Sequence, residues 1–117
     1  GTILSDFGDL VRSSICSANE DETDLSKIEI NADFLTAIHK GYLAALSDEL
    51  TENELNALPF AGPMLVYMQA LRFLTDYLNS DCYYSIRYPE HNFDRAMNQY
   101  VLLTRLLAEP YCKSIRN

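Results

Sequence analysis

The chain has 117 residues, a length that fits one domain with a modest buried core. Its formal net charge of -8 at pH 7 argues against binding to nucleic acid or to an anionic membrane, because both select basic faces. Hydrophobic residues make up 48% of the chain, whereas glycine and proline number four each, a composition that argues against disorder and favours long helices.

Apolar spacing predicts the first two helices. The first carries its apolar face at helical intervals: Phe7, Leu10, Val11, Ser14 and Ile15. Asp6 precedes that face and is its candidate N-cap. A solvated acidic loop is expected over 19–24, with a short extended segment at 28–30. Asn31 is a favourable N-cap for the second helix, whose apolar face consists of Phe34, Leu35, Ile38, Tyr42, Leu43 and Leu46.

Three more helices are predicted in the second half. Thr51 and Glu54 have capping-box spacing, which predicts a short third helix ending near Leu58. We expect Pro59 and Pro63 to separate it from a fourth helix over 63–79. That helix is the most apolar and is apolar on most sides, so we expect it to be central. Its apolar stripe consists of Met64, Met68, Leu71, Leu74 and Leu78, widened by Leu65 and Phe73.

The last helix is expected over 92–109 and is stopped by Pro110. Two neighbouring apolar faces are predicted on it: one consists of Phe93, Met97, Tyr100, Leu103 and Leu107, and the other of Leu102 and Leu106. The sequence therefore predicts a single all-α domain of about five helices over 1–117, without an internal boundary.

The triplet Asp6-Phe7-Gly8 spells the metal-binding motif of protein kinases, where the aspartate holds Mg²⁺ against nucleotide phosphates. That motif requires a catalytic loop and a glycine-rich loop upstream, and the chain contains neither. We therefore interpret Asp6 and Asp9 as carboxylates that stabilise a helix start, and we assign no metal ligand. The acidic run at 20–24 lacks the spacing and the glycine of a calcium loop.

The histidines and cysteines suggest no catalytic cluster. His39 lies on the polar side of a predicted helix and His91 lies just before another, so both are expected at the surface. The three cysteines, Cys16, Cys82 and Cys112, are an odd and widely spaced set, which favours a reducing, cytoplasmic compartment over a disulfide framework.

Arg72 and the tyrosines after it leave two interpretations open. Arg72 forms either an i,i+4 ion pair with Asp76 on an exposed stripe or a fork-shaped donor aimed at a ligand oxygen. Tyr83, Tyr84 and Tyr88 either pack against the end of the helix or stack on a sugar. The residue types alone favour the ion pair and the packing.

Three segments, in this order, resemble a known family: SDFGDLVR, then DETDLSKIEINADFLTAIHKGYL, then LRFLTDYLNSDCYY. The chain is similar to the aminoglycoside phosphotransferase and choline kinase superfamily, and most similar to the N-acetylhexosamine 1-kinases. The resemblance extends from Thr2 to Glu109. It implies a protein-kinase-like fold, of which this chain is the helical C-lobe.

The resemblance also implies roles for particular residues. Arg72 and Tyr83 match positions that contact the sugar, and Asp9 matches a structural aspartate that buttresses the active-site loop. The catalytic and Mg²⁺-binding aspartates of the family lie upstream of the position that matches Gly1, so no catalytic residue is expected here. ATP and Mg²⁺ are expected as cofactors of the parent enzyme only.

The predicted function is therefore substrate binding within an ATP-dependent kinase that phosphorylates an N-acetylhexosamine at its anomeric hydroxyl, the fragment itself being inactive. One alternative is a related kinase for choline or an aminoglycoside, because cationic acceptors suit acidic, tyrosine-rich pockets. Another is a non-enzymatic helical module that binds a protein. A homodimer is expected through the apolar surface that the missing lobe would cover.

Overall fold

The computed structural model describes residues 3–110, and these form an all-helical fold, as predicted. Within that range the chain forms four α-helices: α1 Ile3–Ser14, α2 Ala32–Leu46, α3 Glu52–Leu78 and α4 His91–Ala108. A 3₁₀ helix, Leu25–Lys27, lies between α1 and α2. The last helix ends two residues before Pro110, close to its predicted end.

Two predicted helix starts are confirmed by their caps. The Asn31 carboxamide oxygen accepts a hydrogen bond from the Phe34 N–H at 3.0 Å. The Thr51 hydroxyl accepts from the Glu54 N–H at 3.1 Å, and the Glu54 carboxylate accepts from the Thr51 N–H at 2.9 Å. These reciprocal bonds satisfy two N–H groups that the first turn of α3 leaves without helical partners.

The predicted N-cap at Asp6 is wrong, because α1 already begins at Ile3. Leu4, in the first turn, packs against the core, so helical structure before Asp6 buries apolar surface. Asp6 remains in the first turn, where the helix dipole still favours a carboxylate.

The predicted break at Pro59 and Pro63 is also wrong, since α3 is one helix of 27 residues that contains both prolines. An interior proline costs a helix about 3 kcal/mol because a hydrogen bond is lost and the ring crowds the preceding turn. Pro63 is buried together with Leu58 and Val66, so core packing offsets that cost. Tertiary contacts therefore override the local signal, and the third and fourth predicted helices are one.

A close crossing of α1 and α3 lies at the centre of the core. A Cβ on Gly8 would lie 2.8 Å from the Ala61 carbonyl carbon and 2.8 Å from Leu65 Cδ2. A Cβ on Gly62 would lie 2.6 Å from Val11 Cγ1. Glycine at both positions lets the backbones approach, and the two helices then bury a shared set of side chains. The core around this crossing consists of Phe7, Val11, Ile15, Ile28, Leu35, Leu58, Ala61, Val66, Leu102 and Leu106.

The central position of α3 is confirmed, because it packs against both α1 and α4. Most of the apolar stripe seen in the sequence faces outward, and Phe73, which widens it, is buried. Met64 is 55% exposed and Leu78 is 72% exposed, while Leu58, Val66 and Phe73 provide the buried side. The helix is apolar on most of its circumference, so its sequence did not distinguish the two sides.

Of the two apolar faces predicted for α4, the structure buries the one that contains Leu102 and Leu106. Phe93 and Tyr100, on the other face, are exposed. Buried amides extend the inner face of α4, and Asn98 Nδ2 donates to the Asn19 carbonyl at 2.8 Å. The acidic loop is thereby held against α4.

A groove at the end of α3

A surface groove of about 580 Å³ lies where α3 ends and the chain turns toward α4. It is lined by Leu71, Arg72, Thr75, Asp76, Asn79, Tyr83 and Tyr84. The structure thus brings Arg72 and Tyr83, the two residues matched to sugar-contacting positions, to one place.

Arg72 is exposed on α3 and borders the groove. Its expected ion pair with Asp76 does not form, because the Asp76 carboxylate is turned toward the backbone that follows the helix. Among residues 3–110 the Arg72 guanidinium has no hydrogen-bond or ion-pair partner. Its five N–H donors are therefore free to bind a ligand.

Asp76 is buried, with 6% of its surface exposed, and it organises the chain after α3. It accepts hydrogen bonds from the Tyr83 N–H at 2.8 Å, the Tyr84 N–H at 3.0 Å and Asn92 Nδ2 at 2.8 Å. Burial alone would raise the pKa of Asp76, but the hydrogen bonds from Tyr84, Tyr83, Asn92 and the Cys82 backbone outweigh it and lower the pKa. The carboxylate charge is thus already stabilised by protein donors.

The turn between Asp76 and Tyr83 has an unusual backbone. Ser80 and Asp81 both have positive φ angles, 66° and 59°, in a region that non-glycine residues rarely adopt. The Asp81 N–H donates to the Asp76 carbonyl at 2.7 Å and the Ser80 N–H donates to the Tyr77 carbonyl at 3.3 Å, which is the Schellman arrangement. Asn92 Nδ2 also donates to Asp81 Oδ1 at 3.0 Å. Hydrogen bonds to the end of α3 and from Asn92 on α4 therefore hold the strained turn in place.

The two tyrosines after the turn have different roles. The Tyr84 ring lies 4.9 Å from the Phe73 ring, and its hydroxyl accepts from Gln69 Nε2 at 3.3 Å, so Tyr84 is a packing residue. The Tyr83 ring stands edge-on against Tyr84 with 83% of the residue exposed. Its hydroxyl makes no hydrogen bond within the part of the chain that the structure describes. Tyr83 therefore presents an open ring face and an unused hydroxyl.

Asp9 lies away from this groove, on the exposed side of α1. Its carboxylate is 3.5 Å from Arg12 Nε, and its carbonyl accepts from the Ser13 hydroxyl at 2.9 Å. These contacts are all within α1, so they stabilise the helix locally. The role of buttressing an active-site loop, which the resemblance implied for Asp9, stays a prediction.

A second polar cluster joins the acidic loop to the start of α4, and it corrects the expectation that His91 is a surface residue. His91 is fully buried, with Nε2 3.2 Å from Asp21 Oδ2, while Nδ1 accepts from the Arg87 N–H at 3.1 Å. The hydrogen bond from His91 is the main reason why the pKa of Asp21 is lowered. Both ring nitrogens of His91 already have hydrogen-bond partners, so neither is free to act as a base. We therefore interpret the His91–Asp21 pair as structural.

His39 is half-buried rather than exposed, with its ring centroid 6.0 Å from that of Phe7. Burial lowers the pKa of His39, which favours the neutral imidazole. Neither histidine therefore occupies the solvated position that the sequence suggested.

Residues 3–110 contain neither a cluster of three or more potential metal ligands nor a helix suited to crossing a membrane. No group of three or more His, Cys, Asp or Glu side chains in that range is arranged to hold a metal ion. None of its helices has the length and apolar character needed to span a bilayer. A comparison of the chain with known protein-family models gives no match. The groove is therefore interpreted from its own chemistry.

That chemistry suits a neutral molecule with many hydroxyl groups. Arg72 offers a planar fork of donors, Tyr83 offers a ring face and a hydroxyl, and Thr75 and Asn79 add polar side chains at the rim. The sequence singled out Arg72 and Tyr83, and it assigned Asp76 only to an ion pair with Arg72, whereas the Asp76 carboxylate in fact holds the Tyr83 backbone. A lone carboxylate near the end of an apolar helix, just before a turn rich in unpaired N–H groups, was the available signal.

Proposed function

We propose that this chain is the acceptor-binding part of an ATP-dependent sugar kinase, in which the groove at the end of α3 holds an N-acetylhexosamine for phosphorylation of its anomeric hydroxyl. The observation that carries the proposal is that Arg72 and Tyr83 border one groove with their donors unused. The resemblance to the N-acetylhexosamine 1-kinases independently singled out the same two residues. The proposal places the protein in the cytoplasm, where ATP is available.

In this proposal the chain contributes binding and orientation. The Arg72 fork donates to two oxygens of the sugar, and Tyr83 covers an apolar ring face while its hydroxyl donates to a third oxygen. Fixing the acceptor in this way lowers the entropic cost of bringing it to the phosphoryl donor. The resemblance matches the catalytic and Mg²⁺-binding aspartates of the family to none of residues 3–110, so we assign no step of phosphoryl transfer to these residues. We expect the isolated chain to bind sugar without transferring phosphate.

The charge of the groove favours a neutral acceptor over choline or an aminoglycoside. Arg72 places a positive charge at the rim, and the Asp76 carboxylate is already stabilised by backbone and Asn92 donors. A cationic acceptor would meet Arg72 without a free carboxylate to compensate it. The second alternative, a helical module that binds a protein, is favoured by a different observation, the exposed stripe of α3.

Two conservative substitutions test the sugar site by calorimetric titration with N-acetylglucosamine. Arg72→Lys retains the charge but removes the fork, and we expect it to raise the dissociation constant about tenfold or more. Tyr83→Phe retains the ring and removes the hydroxyl, with an expected rise of roughly fivefold. Tyr100→Phe, an exposed tyrosine on α4, is the matched control and should leave the affinity unchanged.

The proposal is wrong if both groove variants bind the sugar as tightly as the unmodified chain does. Stronger binding of choline than of N-acetylglucosamine would also contradict it, because the positive charge of Arg72 should disfavour a cationic ligand in this groove.

A further inference from the structure

Six apolar side chains form a continuous exposed line along α3, which we call the α3 seam. The members are Phe60, Met64, Tyr67, Leu71, Leu74 and Leu78, and each is at least 37% exposed. Their spacing alternates between four and three residues, which is the heptad pattern with which one helix packs along another. Buried residues of the same helix face the opposite side, and nothing else within residues 3–110 covers the seam.

The seam has the length and charge of an interface. It spans about 27 Å of helix, at 1.5 Å per residue. Between 60 and 78 the charged residues are Arg72 and Asp76, and neither belongs to the seam. The chain as a whole carries a net charge of -8, so an apolar strip of this length is an exception on its surface. Electrostatic repulsion between two copies would therefore be weakest where two such strips meet.

We propose that two copies of this chain associate through the α3 seam, with the two helices antiparallel. The seam is self-complementary in that orientation. Phe60 of one copy lies opposite Leu78 of the second, Met64 opposite Leu74, and Tyr67 opposite Leu71. In heptad terms every a position then meets a d position, as an antiparallel coiled coil requires, and a two-fold axis passes at the level of Gln69.

Side-chain size favours this orientation over a parallel one. The N-terminal half of the seam carries Phe60, Met64 and Tyr67, whereas the C-terminal half carries only leucines. An antiparallel pair places an aromatic or methionine side chain opposite a leucine in every layer and keeps the two aromatic side chains apart, which keeps the interhelical distance even. A parallel pair would set the large side chains against one another at one end and leave the other end loose.

The area is adequate for a reversible dimer. Side chains of this size at the observed exposures contribute on the order of 600 Å² per copy, against roughly 800 Å² per partner in a standard interface. Leu71 borders the sugar groove as well as the seam. The tests below therefore change Met64 and Leu74, which do not line that groove, and they do not depend on sugar binding.

Sedimentation velocity over a range of concentrations tests the dimer. We expect the unmodified chain to pass from monomer to dimer between micromolar and submillimolar concentration. Leu74→Glu places a charge opposite Met64 of the second copy, and it should raise the dimer dissociation constant by more than about 100-fold. Leu10→Glu is the matched control: Leu10 is similarly exposed but lies on α1, so the dimer should persist.

A charge-pair mixture tests the orientation. Met64→Lys and Leu74→Glu should each be monomeric alone, whereas an equimolar mixture should form a heterodimer, because residue 64 of one copy faces residue 74 of the other. A parallel pair would not be rescued in this way. A monomeric unmodified chain at submillimolar concentration would overturn the proposal. A dimer that Leu74→Glu leaves intact, or a mixture that stays monomeric, would overturn it too.

Discussion

At the end of α3, Asp76 shapes the groove by holding the backbone that follows the helix, and we do not propose that it binds a ligand itself. Its carboxylate holds the N–H groups of Tyr83 and Tyr84, and Asn92 ties the same carboxylate to α4. The exposed Tyr83 ring has few packing contacts of its own, so its direction depends on these bonds. We interpret Asp76 as a positioning residue of the groove.

Replacing Asp76 with asparagine should lower the free energy of unfolding at pH 7, and the effect should vanish in acid. The pKa of folded Asp76 lies below its ordinary value of 3.8. Its stabilising contribution is therefore complete above about pH 3.8 and is lost as the pH falls through the lower folded value. Urea unfolding of the chain and of Asp76→Asn at pH 7 and at progressively lower pH measures this difference.

Asp48→Asn provides the control, because Asp48 is an exposed carboxylate between α2 and α3. We expect its stability to follow that of the unmodified chain at every pH. An Asp76→Asn deficit that remained the same size in acid would contradict the assignment, since it would show that shape rather than charge is responsible.

At the residue scale, sequence alone found side chains that face solvent and missed those that have distant partners. Arg72 and Tyr83 stood out as a cation in an apolar helix and as part of a tyrosine-rich loop. His91 appeared ordinary because its partner, Asp21, lies 70 residues away in the chain. Such pairs depend on how the helices pack, and one sequence contains no local sign of that packing.

Among the contacts between elements, the crossing of α1 and α3 is the one that a single added methyl group would disturb most directly. Gly8 packs against the backbone of Ala61, and Gly62 packs against Val11. A backbone neighbour cannot move aside as a flexible side chain can, so Gly8 is the stricter of the two positions.

We predict that Gly8→Ala destabilises the chain by about 2 kcal/mol, because the added methyl group would force α1 away from α3. Gly41→Ala is the same substitution inside α2, where a Cβ would meet nothing within 4 Å. It should stabilise the chain by about 0.5–1 kcal/mol, because alanine loses less conformational freedom in a helix than glycine. Thermal and urea unfolding of both variants measure the two effects. Equal effects of the same sign would contradict the packing described for the crossing.

The starts of α2 and α3 were predictable because their determinants are local. A cap such as Asn31, or the Thr51–Glu54 pair, acts within three residues, so the sequence contains the whole interaction. The prolines of α3 were misleading because their local cost is offset by burial that only the folded chain provides. For the same reason the sequence did not show which side of α3 is buried.

For the whole molecule, α3 is the element that connects the core, the groove and the α3 seam. Its inner side packs against α1 and α4, its C-terminal end borders the groove proposed to bind sugar, and its outer side forms the α3 seam. The all-helical class followed from composition, since few glycines and prolines leave little room for a many-turned fold. Only the resemblance indicated where in the chain a site should lie. The groove itself is formed by the turn that Asp76 stabilises, which the sequence did not predict.

The most direct test of the sugar site is a chemical-shift titration of the isotope-labelled chain with N-acetylglucosamine. Shift changes report where a ligand binds even when the affinity is low. We expect the amide signals of residues 71–84 and the Arg72 side-chain signal to move with increasing sugar, while those of α2 stay in place. If no signal moves at high sugar concentration, or if the changes lie outside the groove, the chain does not bind the acceptor as proposed here.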